Sequence, residues 1–338
     1  MRDEKKIQQT GTKIWVGVDI GGTKTAVVLC SDPPAILERV AFPTLPEYGP
    51  ERAITLIRQT IHSLIETHGI HRGQIEAIGI SCGGPLDPKR GLIQSPPNLP
   101  TWDNIPIVDM LRDQFGVSCR LENDANAGAV AEHRFGAGQG VQNMIFLTMG
   151  TGLGAGFIIE GRLYRGASDM AGDIGHVRLT PSGPVGYNKA GSAEGWASGG
   201  GMARAATQRV VAAMEKGDVT SLVAQLATNR ILTAKDIADA ARQGDELARQ
   251  IVSETGSRLG EALAILVDLL NPELIVIGGL AIRLGESILV PARTAMEREA
   301  QPAAAHACRI VPALLGERIG DVAAICVAMG LTQGSDVP

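Results

Sequence analysis

The sequence predicts an α/β protein of two domains. Its 338 residues exceed the usual size of a single domain, and 44% of them are hydrophobic, enough for two buried cores. Apolar runs of strand length alternate along the chain with segments of helical periodicity, as they do in α/β folds. Two strand-like runs joined by a glycine turn occur near residue 20 and again near residue 150. This repetition indicates a duplication at the scale of a domain.

The first half of the chain begins with one of these strand pairs. Residues 1–12 are polar and predict a loosely attached leader. An apolar run from Ile14 ends at Asp19, and a glycine turn separates it from a second run over 26–29. The remaining predicted elements of this half are a helix over 53–67, a strand over 75–80, an extended proline-rich loop over 94–106 and a helix over 123–135.

The second half repeats the pattern and then becomes mainly helical. Strand-like runs over 145–147 and 157–159 flank a second glycine turn. The clearest helix covers 247–270, where leucines recur at spacings of three and four. The other predicted elements are helices over 199–214 and 234–242, a strand over 274–277 that leads into Gly278 and Gly279, and a final helix over 321–331.

Composition excludes several classes of protein. A net charge of −5 gives no electrostatic reason to bind nucleic acid or an anionic membrane, and 3% aromatic residues leave few stacking platforms. The five cysteines are scattered and contain no CxxC pair, which argues against a disulfide framework and a cysteine-rich metal site. We find neither a signal peptide nor an apolar stretch that would span a bilayer, and we expect a cytoplasmic protein.

The two glycine turns are candidate phosphate-binding sites. A glycine-rich turn exposes backbone N–H groups, with no side chain to hold an anion away. One such turn is also explained by hairpin geometry, but two matching turns a domain apart favour a nucleotide bound by both. The residues concerned are Gly21, Gly22, Thr23 and Lys24 in the first turn and Gly150, Thr151 and Gly152 in the second.

Two carboxylates are candidates for metal binding and catalysis. Asp19, beside the first turn, could hold Mg²⁺ through water, although it could also simply cap the turn. Asp124 begins a predicted helix, and we expect it to accept a proton from a substrate hydroxyl while Asn123 binds a neighbouring hydroxyl. The alternative is that one of the two is only a helix N-cap. A helix N-terminus favours the carboxylate, so we expect Asp124 to be a weak base, which phosphoryl transfer tolerates.

A polyol substrate would need several such groups, because each hydroxyl requires its own partner. Carboxylate, amide and imidazole side chains suited to this task recur in glycine-rich segments. The candidate set is Asn98, Asn123, Asp124, Asp173, His176 and Glu194.

The motifs that carry these residues resemble the ROK family (repressors, open reading frames and kinases). They are VDIGGTK at 18–24, PNLPTW at 97–102, ENDANA at 122–127, GTGLG at 150–154 and AGDIGH at 171–176. The resemblance extends from about Ile14 to the C-terminus. It implies an actin-like, hexokinase-type (ribonuclease H-like) fold, in which ATP and sugar bind in a cleft between two α/β domains. We assign 13–127 and 321–333 to the smaller domain and 128–320 to the larger.

The resemblance also implies roles for individual residues. Asp124 corresponds to the catalytic base, and the two glycine turns correspond to the ATP phosphate sites. Gly278 and Gly279 lie where the family binds adenosine. The positions that correspond to sugar binding are Gly84, Asn98, Asn123, Asp124, Asp173, His176 and Glu194.

The sequence departs from the family pattern in two places. Family members commonly carry zinc on a histidine equivalent to His176 and three cysteines just downstream, but residues 177–194 contain no cysteine. One histidine cannot complete a tetrahedral zinc site, so we expect none. We expect the loop to be held instead by packing and hydrogen bonds involving Tyr187, Lys189 and Trp196. The second departure is Asp173, where the family usually has Glu, which opens the question of sugar preference.

The expected function is therefore transfer of the γ-phosphoryl group of ATP, with Mg²⁺, to a hexose hydroxyl. The 6-hydroxyl of glucose is the first expectation, and N-acetylmannosamine, N-acetylglucosamine, fructose and allose are alternatives. Two non-enzymatic alternatives are less favoured. A repressor would need a DNA-binding domain ahead of the first motif, which here begins near Ile14. A non-catalytic sugar-responsive regulator would be expected to have lost its ATP turns, and both turns are intact here. The family resemblance predicts a homodimer or a larger homo-oligomer.

Overall fold

The computed structural model describes residues 12–217, 220–227 and 231–333. The strands alternate with helices in both halves of the chain, as the sequence predicts. The strands are β1 (Ile14–Ile20), β2 (Lys24–Asp32), β3 (Ala35–Pro43), β4 (Ile75–Cys82), β5 (Leu86–Asp87), β6 (Leu92–Ile93), β7 (Ser118–Asn123), β8 (Met144–Met149), β9 (Leu153–Ile159), β10 (Arg162–Tyr164), β11 (Val185–Gly186), β12 (Lys189–Ala190), β13 (Leu274–Gly279) and β14 (Arg309–Pro312).

The helices range from single turns to one of 25 residues. They are α1 (Pro50–Thr67), α2 (Ile107–Phe115), α3 (Asp124–Phe135), α4 (Ala193–Ala197), α5 (Gly199–Lys216), α6 (Leu222–Ala227), α7 (Ala234–Arg242), α8 (Glu246–Leu270), α9 (Leu280–Leu284), α10 (Glu286–Glu299), α11 (Pro302–Ala307) and α12 (Ile319–Ala328). No helix among the described residues is both long enough and apolar enough to cross a bilayer.

The chain divides into two compact units. Of the described residues, unit 1 contains 12–136, the short segment 165–169 and 317–333, and unit 2 contains those within 137–164 and 170–316. The predicted boundary at 127 falls inside α3, which stays whole in unit 1 because it packs on α12. The chain re-enters unit 1 at 317 rather than at the predicted 321, and no motif in the sequence marks the 165–169 segment.

The two units share one sheet topology, consistent with the duplication that the sequence predicts. The strand order is β3-β2-β1-β4-β7 in unit 1 and β10-β9-β8-β13-β14 in unit 2. In each sheet a central strand pairs antiparallel with the strand that follows it and parallel with the strand on its other side. Each glycine turn therefore joins a central strand to its hairpin partner.

The core of unit 1 lies on both faces of its sheet. Helix α1 contributes Ile54, Ile57 and Ile61, spaced three and four residues apart, to the main apolar cluster. Helix α12 packs closely on β1 and β4 because those strands carry Gly17 and Gly79 there. A Cβ at Gly79 would overlap the α12 backbone.

The core of unit 2 is built around α8, which packs against α10. Close approach of the two helices depends on glycines of α8. A Cβ at Gly256 would lie 2.6 Å from the carbonyl oxygen of Ile288, and one at Gly260 would lie 2.6 Å from the Cβ of Ala295. The leucines at 259, 263 and 266, which marked this helix in the sequence, are buried in the unit 2 cluster.

Candidate active site

The first glycine turn is closed by hydrogen bonds and has an exposed tip. The N–H of Gly21 donates to the Lys24 carbonyl at 3.0 Å, which closes the turn. The Thr44 hydroxyl donates to the Gly21 carbonyl at 2.6 Å and braces the turn from below. Thr23 and Lys24 are exposed, so their hydroxyl and ammonium groups are accessible. Sequence reasoning missed Thr44, because a threonine after a strand carries no distinctive signal.

Asp19 is the second-last residue of β1 and lies in acidic surroundings. Burial, followed by the charges of Asp124 and Asp321, raises the pKa of Asp19 to about 7 against the opposing effects of Lys24 and Arg39. Asp321 is itself buried and accepts a hydrogen bond from Arg39 at 2.8 Å. Such crowding of like charges would be relieved by a cation, so the donor set fits Mg²⁺ held through water. Among the described residues, no three His, Cys, Asp or Glu side chains converge closely enough to bind a metal ion by themselves.

Asn123 and Asp124 occupy the junction of β7 and α3. Asn123 is the helix N-cap, and its Oδ1 accepts from the backbone N–H groups of Ala125 at 3.0 Å and Asn126 at 3.2 Å. Asp124 is the first residue of the helix. Asn123 therefore has the predicted N-capping role, and Asp124 is not the N-cap.

The Asp124 carboxylate differs from expectation in its basicity. Burial raises its pKa, and this effect outweighs the hydrogen bonds from the Ala125 N–H, which lies 2.8 Å from Oδ1, from the Asp124 N–H and from the Asn123 side chain. The expectation of a weakened base is wrong in direction, because desolvation exceeds the stabilisation that the helix N-terminus provides. A carboxylate with a raised pKa accepts a proton more readily.

Two more predicted sugar residues lie close to these groups in unit 1. A Cβ at Gly84 would lie 3.5 Å from the Asn123 Nδ2, so this glycine borders the Asn123 amide. A Cβ at Gly22 would lie 2.7 Å from both the Cβ and the carbonyl oxygen of Asn98. Asn98 therefore packs directly on the first glycine turn, although it is largely exposed on its loop.

In unit 2 the second glycine turn adjoins the N-terminus of a long helix. The N–H groups of Gly199 and Gly200, the first residues of α5, donate to the carbonyls of Gly150 at 2.8 Å and Thr151 at 3.1 Å. Gly150 and Thr151 are exposed. The sequence showed the glycine run at 199–201, but it did not show that this helix end meets the turn.

Glu194 lies next to the same turn. Its Oε2 accepts from the Leu153 N–H at 3.2 Å, and a Cβ at Gly152 would lie 2.6 Å from that oxygen. A Cβ at Gly175 would lie 3.2 Å from the Glu194 Cβ, so the segment that carries Asp173 and His176 is also close by.

Asp173 directly precedes a short 3₁₀ turn that ends at His176, and both residues are exposed. Gly278 and Gly279 end β13 directly beside the last residues of β8, where Gly279 pairs with Met149. A Cβ at Gly279, whose φ is 68°, would overlap the Met149 backbone, so this position requires glycine. The predicted adenosine residues therefore adjoin the second glycine turn.

The 177–194 loop is held by polar contacts and a short hairpin. β11 pairs with β12, the Lys189 ammonium donates to the His176 carbonyl at 2.6 Å, and the Trp196 indole N–H donates to the Thr180 hydroxyl at 2.7 Å. The Tyr187 ring lies edge-on to His176, with 6.0 Å between centroids. All three side chains expected to hold this loop make such contacts, while the absence of zinc stays a prediction.

The structure thus gathers the predicted residues into two sets. The unit 1 site contains Asp19, Gly21, Gly22, Thr23, Lys24, Gly84, Asn98, Asn123 and Asp124. The unit 2 site contains Gly150, Thr151, Gly152, Asp173, His176, Glu194, Gly278 and Gly279. Paired α/β units, each with a glycine turn, and a basic carboxylate at a helix start define a sugar kinase of actin-like fold.

Comparisons with known proteins narrow this class to one family. A model of the ROK family matches residues 15–330, and the chain belongs to that family. A glucokinase of Halalkalibacterium halodurans is 34% identical over 90% of this chain and 92% of its own length.

Two other relatives show the range of the family. A ROK family glucokinase from Streptomyces griseus, solved with glucose and AMPPNP, is 35% identical, covers 94% of this chain and 99% of its own, and superposes with a TM-score of 0.79. An N-acetylglucosamine repressor of Escherichia coli O157:H7 is 30% identical over 82% of this chain and 66% of its own length.

Proposed function

We propose that this chain transfers the γ-phosphoryl group of ATP to the 6-hydroxyl of glucose. The observation that carries the proposal is the position of Asp124 at the first residue of α3, beside the amide of Asn123, with a pKa raised by burial. The glucokinase relatives, similar to this chain over nearly its whole length, favour glucose as the acceptor.

Asp124 and Asn123 divide the work on the attacking hydroxyl. The Asp124 carboxylate accepts the proton of the 6-hydroxyl as its oxygen bonds to the γ-phosphorus and the bond to the β–γ bridging oxygen breaks, releasing ADP. The Asp124 Oδ1 accepts a hydrogen bond from the Ala125 N–H at 2.8 Å, which holds the carboxylate at the start of α3. The Asn123 amide would hold a neighbouring hydroxyl and set the approach of the sugar.

The glycine turns would bind the phosphates through backbone N–H groups. Thr23 and Lys24 would add a hydroxyl donor and a cation in unit 1, and the exposed turn at 150–152 would add a second set of donors in unit 2. The positive end of α5 adjoins that second turn, and this favours an anion there. When bound near Asp19, Mg²⁺ would neutralise phosphate charge.

A second substrate class is favoured by one specific observation. Asp173 is exposed, and its carboxylate has no hydrogen-bond partner within the described segments. Its side chain is one methylene shorter than the Glu usual in the family, so it leaves space for a substituent on the sugar. An N-acetylhexosamine, either N-acetylmannosamine or N-acetylglucosamine, is therefore the alternative substrate; fructose and allose are less favoured.

The test is a coupled ADP-release assay across glucose, mannose, fructose, allose and the two N-acetylhexosamines, with the product position read by phosphorus NMR. We expect the highest kcat/KM for glucose and a 6-phosphate product. A higher kcat/KM for an N-acetylhexosamine would replace glucose with that sugar, and no ADP release with any sugar would contradict the kinase assignment.

We also propose a cytoplasmic location for the enzyme. All five cysteines are free thiols, four of them buried, which suits a reducing compartment such as the cytoplasm. We also propose a homodimer or larger homo-oligomer, which size-exclusion chromatography with light scattering would test.

A further inference from the structure

Glu122 is a buried carboxylate that the proposed chemistry does not use. It is the residue before Asn123 at the end of β7 and has no exposed surface. Its Oε1 accepts hydrogen bonds from the Asn123 N–H at 3.0 Å and the Asn126 Nδ2 at 3.1 Å. The same carboxylate is thus hydrogen-bonded to both the end of β7 and the first turn of α3.

Arg165 provides the counter-charge. Its Nη1 donates to the Glu122 Oε1 at 3.1 Å and its Nη2 donates to Oε2, so the pair is bidentate. Nη2 also donates to the Thr332 carbonyl at 2.8 Å. Asp169 lies 4.0 Å from Nη1 and forms an ion pair with Lys89 at 3.0 Å. The guanidinium is therefore fixed from several sides.

The segment that carries Arg165 has an unusual place in the chain. Residues 165–169 belong to unit 1, whereas the chain on both sides of them belongs to unit 2. The chain thus enters unit 1 for five residues, and the first of them pairs with the carboxylate that precedes Asn123 and Asp124.

A purely structural role explains this arrangement poorly. Burying a charged pair costs desolvation free energy, and apolar residues of similar volume often give equal or greater stability. Burial raises the pKa of Glu122 against the opposing effects of the Arg165 charge and of its hydrogen bonds, so desolvation disfavours the ionised carboxylate. Unlike apolar packing, the pair fixes the orientation of its neighbours, because the Glu122 carboxylate is hydrogen-bonded to the Asn123 backbone and to the Asn126 side chain.

We propose that Glu122 and Arg165 are positioning residues for phosphoryl transfer, which lock the first turn of α3 so that Asn123 and Asp124 meet the sugar in one orientation. This inference rests on the proposed function. It also explains why residues 165–169 belong to unit 1: this segment carries Arg165, whose guanidinium pairs with Glu122 and so holds the first turn of α3.

The test compares Glu122→Gln, Arg165→Met and Arg165→Lys with a control in the same unit, Ile57→Val. A misplacement of about 1 Å can cost about 10²-fold in rate, so we expect kcat to fall by about 10- to 100-fold in Glu122→Gln and Arg165→Met. We expect the sugar KM to rise several-fold while the ATP KM stays near that of the wild type. Arg165→Lys keeps the charge but not the two-pronged guanidinium, so it should recover only part of the lost activity.

The control separates positioning from general destabilisation. Ile57 is a fully buried residue of α1, so Ile57→Val weakens the same core without touching α3. We expect a lower Tm in this variant with unchanged KM values and kcat. Hydrogen exchange gives a readout independent of activity: amides of the peptide 122–127 should exchange faster in Glu122→Gln, and those of α1 should not.

The outcomes are distinguishable. Unchanged kcat and sugar KM in Glu122→Gln would overturn the positioning role whether or not exchange at 122–127 increases, while leaving the proposed function intact. Equal losses in Arg165→Lys and Arg165→Met would also overturn it, because retained charge should matter. If the wild-type enzyme phosphorylates no sugar, the proposed function and this inference fail together.

Discussion

The carboxylate of Glu194 accepts a hydrogen bond at 3.2 Å from the backbone N–H of Leu153, the residue that follows the second glycine turn. A predicted sugar-binding group is thus attached to a predicted phosphate-binding turn of the same unit. Unit 1 repeats the relationship in another form, because Gly22 of the first turn packs directly against Asn98. In each unit, the position of the glycine turn and that of a predicted sugar-binding residue therefore depend on each other.

This dependence predicts the effect of a single methyl group. Gly152→Ala would place its Cβ 2.6 Å from the Glu194 Oε2, so the carboxylate must move and lose its bond to Leu153. We expect the sugar KM to rise about tenfold, the equivalent of about 1.4 kcal/mol. Gly150→Ala is the matched control in the same turn, since its Cβ would meet no atom within 4 Å. Steady-state kinetics with varied sugar would measure both, and equal sugar KM values in the two variants would argue against the coupling.

The 177–194 loop should be stable without metal. Thr180→Val removes the hydroxyl that accepts from the Trp196 indole and donates to the Ser182 carbonyl, whereas Thr180→Ser keeps a hydroxyl. Loss of two such partly exposed hydrogen bonds costs about 1–2 kcal/mol, which corresponds to a Tm decrease of about 2–8 °C. We expect this decrease in Thr180→Val only. EDTA should leave the wild-type Tm unchanged; a lower Tm in EDTA, with zinc detected by elemental analysis, would show that metal holds the loop.

Asp245 predicts a pH-dependent contribution at the start of α8. Partial burial would raise its pKa, but hydrogen bonds from the Ala248 and Ser221 amides and from the Ser221 and Thr220 hydroxyls outweigh that effect and lower it. A lowered folded-state pKa means that the stabilisation is present above the unfolded-state value and is lost as the pH falls through the folded-state value.

Asp245→Ala should therefore cost about 1 kcal/mol near pH 7, the usual value of an N-cap, and the cost should shrink below about pH 4. Urea unfolding followed from pH 7 to pH 3 would measure it. Asp113→Ala, at an exposed position on α2 with one 3.9 Å contact to Arg112, is the control and should change stability by less than about 0.5 kcal/mol. A cost that is constant with pH would mean that the charge of Asp245 contributes nothing.

The sequence predicts correctly those elements that are marked by nearby residues, through hydrophobic periodicity or through capping and turn residues. The hairpins at both glycine turns and the helices α1, α3, α5, α7 and α8 are confirmed, since caps, glycines and leucine spacing mark them directly. It did not reveal β3, an edge strand whose mixed and mostly exposed side chains show no alternation. Nor did it reveal α10, which carries Pro291 in its interior.

The candidate site shows a similar division. Residue types and motifs pointed to Asp124, Asn123 and the glycine turns, because these groups carry chemistry on their own. Sequence reasoning could not show that Thr44 braces the first turn or that Arg165 pairs with Glu122, since both contacts join distant parts of the chain. It also misjudged the basicity of Asp124, because desolvation depends on tertiary packing that local sequence does not specify.

The central claim is that Asp124 is the base for phosphoryl transfer to a bound sugar. Asp124→Asn keeps the size of the side chain and its acceptor for the Ala125 N–H while removing the basic group. Because general base catalysis contributes about 10²–10⁴-fold, kcat in the coupled ADP-release assay should fall by at least about 10²-fold. Glucose affinity, measured by calorimetry on the same preparation, should stay within about threefold of the wild-type value because the other sugar groups are unchanged. A near-normal kcat in Asp124→Asn would contradict the account.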